Sequence, residues 1–134
     1  GSARTPSTEK VAGAVTLARH IAEQAGADMS IDGEMQADAA LDPVFAQMKM
    51  PESHVAGKAN VLIFPDLNSG NISVKFVQLF SECQTYGQIL MGFTRPAVDI
   101  PMGVSSDNMA AMAAIVGLQA VEYRKLYPPP DTAD

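Results

Sequence analysis

The chain reads as an α/β domain, a layered α/β/α sheet fragment, and three observations carry that reading. Apolar residues recur at helical spacing in stretches near the start, middle and end of the sequence. Residues 61–64 (VLIF) form a short continuous apolar run between turn signals, which suits a strand buried on both faces in a largely parallel sheet. That run passes through a glycine-containing turn into a helical pattern. Strand, turn and helix in this order are how α/β proteins present backbone N–H groups to anions.

Each element has a local cause. Thr5 followed by Pro6 reads as an N-cap with proline at the first helical position, opening a helix to about residue 24. Val11, Val15, Ala18 and Ala22 fall on its apolar face, with Leu17 and Ile21 beside them, and Gly26 supplies the stop. Residues 29–35 read as a short strand. Helical turns follow over 37–48, where Pro43 suits a first turn better than an interior. Pro51, Ser53 and Gly57 mark a loop over 50–58 that also holds His54. After the strand at 61–64, residues 65–71 form the turn. Asn68 and Ser69 are both good N-caps, and Gly70 permits a tight path.

The next helix is expected to bury Ile72, Phe76, Leu79 and Phe80. Strands are expected over 86–93 and 97–100. Ser105, Ser106 or Asp107 then caps a last helix to about residue 125, with Met109, Met112, Ala113 and Val116 lining one face as core filler. A sheet of three or four strands leaves apolar edge uncovered, so a partner chain or a further domain is expected.

The sequence has 134 residues, 47% of them apolar and 18% charged. That is one domain's worth of chain with enough apolar material for a core, which excludes global disorder. Residues 1–2 read as an expression scar, 3–127 as the domain and 128–134 as a flexible tail. The net charge of -6 argues against a basic footprint for nucleic acid or acidic lipid. No apolar run approaches the ~20 residues that span a bilayer. The single cysteine, Cys83, cannot form an intrachain disulfide, and a reducing compartment, the cytoplasm, is expected. Cys83 falls late in a helical pattern with neither histidine near it in sequence, so it reads as structural or incidental. His20 and His54 read as solvated. Asp28, Asp32, Glu34 and Asp38 lie close in sequence, but spacing alone does not make carboxylates converge, and no metal site is assigned.

Three segments, in order and at matching spacings, resemble the phosphate acetyl/butyryltransferase (phosphotransacetylase) family. They are IDGEMQADAAL over 31–41, the stretch 55–80 containing AGKANVLIFPDLNSGN, and GQILMGFTRPAVDI over 87–100. The family shows D-G-x-x-Q-x-D-A-A in the first, and glycines followed by a proline in the third. The resemblance runs from about Val11 to Ala120 and covers only the family's C-terminal portion. It implies a fold similar to the isocitrate and isopropylmalate dehydrogenases and a homodimer, or an N-terminal domain lying outside this sequence. It also implies acyl transfer between coenzyme A and phosphate, with acyl-CoA and phosphate or acyl phosphate as partners and no tightly bound cofactor.

The same resemblance makes a chemical point. After a Pro-x-x-Asp stretch the family places Ser-Arg-Gly, whose arginine holds phosphate and whose serine stabilises the reacting centre. An aspartate a few residues on is the thiol base. The matching positions here are Pro101, Met102 and Gly103, and Asn108 for the base. Methionine cannot neutralise phosphate as a guanidinium does, and asparagine cannot serve as a base. Arg95 is the nearest cation along the chain and Asp107 the neighbouring carboxylate, so these are the possible replacement charges. A one-residue step on a helix turns a side chain by about 100°, which counts against Asp107. Asn68, Ser69, Gly70 and Asn71 form the candidate anion or interface turn. The expectation is a family domain that is inactive as this chain alone. The alternative is a non-catalytic acyl-CoA-binding regulatory or dimerisation domain.

Overall fold

Thr5 caps the first helix as its sequence requires. Its hydroxyl accepts from the Thr8 N–H at 3.2 Å, and the Thr8 hydroxyl accepts from the Thr5 N–H at 2.9 Å. Helix α1 (Pro6–Gln24) follows, with Pro6 in its first turn. In this computed structural model, which describes residues 4–126, the remaining elements are α2 (Ala37–Leu41), α3 (Pro43–Lys49), α4 (Leu67–Phe80), β1 (Ile89–Leu90), β2 (Ala97–Val98) and α5 (Ser106–Leu126). The expected scar at 1–2 and tail at 128–134 lie outside the described residues. Two compact units result, Gly1–Lys75 and Phe76–Asp134, with the boundary inside α4.

In the first unit, Val11, Val15, Ala18 and Ala22 of α1 are all half-buried, while Leu17 and Ile21 remain exposed. Gly26 takes a φ of +63°, the left-handed geometry that ends a helix without a Cβ penalty. The helical turns expected over 37–48 form as two short helices. Asp42 separates them, accepting from the Val44 N–H at 2.7 Å, and Pro43 opens α3. Their contact holds the buried Ala39, Ala40 and Ala46. Gly57 makes that packing possible. Its N–H donates to the Ala39 carbonyl at 2.8 Å, and a Cβ there would lie 2.8 Å from Pro43 Cα. Its φ of +79° also favours glycine.

The second unit holds the sheet. β1 pairs antiparallel with β2, with Ile89 opposite Val98 and Leu90 opposite Ala97. Gln88 and Asp99 exchange both backbone bonds and extend the hairpin by one pair, at 3.1 and 2.9 Å. Helix α5 packs on β2, and Met112 is its buried residue. The half-buried face of α5 runs through Asn108, Ala111, Ile115, Gln119 and Tyr123. Of the residues expected inside, Met112 is buried and Val116 half-buried while Met109 and Ala113 are exposed, so the inward face is turned part of the way from the predicted one.

The α/β class holds in coarse form, as helices with a small antiparallel sheet, and several expectations need correction. Residues 29–35 and 61–64 form no strand, and the strands expected over 86–93 and 97–100 shrink to β1 and β2. A strand needs backbone partners from elsewhere in the chain, and among the described residues 61–64 find none. Near 29–35 the Ile31 carbonyl is taken by the Arg19 side chain at 2.7 Å. The face of α4 expected to be buried is open, with Ile72, Phe76, Leu79 and Phe80 all exposed. Cys83 lies beyond the end of α4 and is exposed, its Sγ 2.8 Å from the Ser81 hydroxyl.

Candidate functional site

Three places hold the residues that the sequence singles out. The first is the start of α4. The chain turns at Pro65 and Asp66, and the helix begins at Leu67, so Asn68, Ser69, Gly70 and Asn71 stand within its opening turns. The cap is Asp66, not Asn68 or Ser69. Its Oδ1 accepts from the Ser69 N–H at 2.8 Å, while the Ser69 hydroxyl donates to the Asp66 carbonyl at 3.0 Å. The Ser69 N–H holds the Asp66 carboxyl below its ordinary range, helped by the Ser69 hydroxyl and the charge of Lys10. Lys10 itself donates to the Pro65 carbonyl at 2.7 Å. One amide that could face an external anion is thus bonded to the protein's own carboxylate. Gly70 permits no close approach that alanine would forbid, since a Cβ there would rest at ordinary contact, 3.6 Å from the Phe64 side chain.

The second place is the acidic stretch. Asp32 is the most engaged carboxylate among the described residues. It accepts from Arg19 Nη2 at 2.7 Å, from the Gly33 N–H at 2.9 Å and from the Ser53 hydroxyl. Partial burial pushes its carboxyl up, but the Ser53, Gly33 and Arg19 donors outweigh burial and hold it below the usual carboxylate range. Ser53 in turn accepts from the Val55 and Ala56 N–H groups at 3.2 and 3.0 Å, so Asp32 anchors the 50–58 loop. Asp38 pairs with Lys49, whose ammonium is the main reason its carboxyl is lowered. An open groove beside these groups is lined by Asp32, Lys49, Met50, Pro51, Glu52 and Ser53. Its charges are of mixed sign, which makes a poor cradle for phosphate. Among the described residues no three His, Cys, Asp or Glu side chains gather as a metal site would require. Sequence reasoning missed Arg19 and Ser53 as the partners of Asp32, because they lie 13 and 21 residues away with no local signal.

The third place is the segment ahead of α5. Pro101 is half-buried, Met102 is fully exposed and Gly103 adopts a φ of +86°. Ser105 caps α5, its hydroxyl accepting from the Asn108 N–H at 3.2 Å. Asn108 sits on the half-buried face, and Asp107, one position back, is exposed in the first turn. Arg95 is exposed on the loop joining β1 to β2. The segment 101–108 therefore holds no cation, and its one carboxylate points to solvent. It can cap a helix but offers neither a phosphate clamp nor an enclosed base.

Among the described residues no helix is long and apolar enough to cross a membrane. Comparison with known proteins gives a consistent result. The family model for "Phosphate acetyl/butaryl transferase" matches residues 1–117. A phosphate acetyltransferase of Acetivibrio thermocellus is 46% identical over 120 residues, covering 90% of this chain and 35% of that protein. One from Clostridium acetobutylicum is 44% identical over the same length, with the same coverage. Among solved structures, EutD phosphotransacetylase from Staphylococcus aureus superposes with a TM-score of 0.79 at 35% identity, covering 92% of this chain and 36% of that one. The chain spans about a third of the length of these relatives and matches their C-terminal part.

Proposed function

This chain belongs to the phosphate acetyl/butaryl transferase family, and from that premise we propose that it keeps the scaffold of acyl–phosphate transfer without the groups that perform it. The reaction in the family moves an acyl group between coenzyme A and phosphate. It requires a cation against the phosphate and developing oxyanion, and a base for the thiol. The observation that carries the reading is the segment Pro101, Met102, Gly103 and Asn108, where a solvent-exposed thioether and a carboxamide stand at those positions. Removing one such donor costs about 10² to 10³ in rate. Arg95 and Asp107 are the charges that could stand in. Both are exposed, and Asp107 lies one helical step from the position of Asn108.

The same reading places the chain within a layered sheet of the dehydrogenase-like kind, with acetyl-CoA and acetyl phosphate as the ligands of the complete assembly and the cytoplasm as its compartment. A second reading, a dimerisation domain, is favoured by α5. Met109, Leu118, Val121 and Leu126 on this helix are exposed as well as apolar. Leu118 and Val121 stand three residues apart on one side of the helix, the spacing that lets two side chains meet a partner together.

The test is an assay of CoA-dependent release of acetyl phosphate by the purified chain, joined to calorimetry with acetyl-CoA. No turnover is expected, and turnover above background overturns the proposal. Binding of acetyl-CoA without turnover supports a regulatory role. A dimer in light scattering without binding supports the assembly reading.

A further inference from the structure

We draw no further inference here: the strongest candidate, the exposed apolar face of α4 on which the rings of Phe76 and Phe80 stack with centroids 5.7 Å apart, carries nothing, because nothing in the structure shows what covers it.

Discussion

The acidic anchors at Asp32 and Asp66 and the segment from Pro101 to Asn108 divide the polar chemistry of this chain unequally. Asp32 gathers Arg19, Ser53 and the Gly33 amide, and Asp66 takes the Ser69 amide at the start of α4. Every one of those charges is engaged in holding a loop or a helix end. At 101–108, where the family resemblance implies a clamp and a base, the side chains are a ring, a thioether and a carboxamide. A fold can lose its reactive groups while keeping the anchors that shape it, since the anchors act on stability and the reactive groups do not. The difference teaches that the polar residues which hold a fold in shape say nothing by themselves about its chemistry.

The sharpest way to break that comparison is to restore the missing groups. In a chimera in which this chain replaces the matching C-terminal part of the Acetivibrio thermocellus relative, Pro101→Ser, Met102→Arg and Asn108→Asp together are expected to raise the transfer rate by at least about 10² to 10³, the factor for a single such donor. A chimera already active at the level of the relative, without those changes, would show that Arg95 or Asp107 does the work. The next effect is on stability. Gly57→Ala places a Cβ against Pro43 at a positive φ and is expected to cost about 2–4 kcal/mol in denaturant unfolding.

Asp32→Asn should cost about 1–3 kcal/mol near neutral pH, because it removes a charged acceptor shared by three donors. The pH dependence has a defined sign. The Asp32 carboxyl is held below its ordinary value in the folded chain. Its contribution is therefore full above the unfolded value of about 4 and is lost as pH falls through the lower folded value. The gap between wild type and variant should narrow in unfolding curves as pH falls below the ordinary carboxylate value of about 4, and a constant gap would count against the anchor. The smallest effect is at the helix cap. Asp66→Ala should lower the unfolding midpoint slightly, with faster amide exchange confined to the first turn of α4.

Much of this could be read from local sequence. Thr5-Pro6, Gly26 and Pro43 marked helix ends that form where expected, because caps and breakers act through neighbours three or four residues away. The three family-like segments were legible for the same reason. Asp66 was not read as the cap because Asn68 and Ser69 offered equal local chemistry, and only the backbone path chose among them. The partners of Asp32 were hidden because ion pairs across loops carry no periodicity.

What the sequence determined by itself was where helices start and stop, which family the chain resembles and which residue types stand at 101–108. Tertiary structure decided which apolar runs became strands and which side of α5 faced inward. A helix satisfies its own backbone within four residues, so its bounds are written locally. A strand is satisfied only by chain that is distant in sequence. The VLIF run at 61–64 has the composition of an interior strand, yet among the described residues its backbone finds no ladder partner.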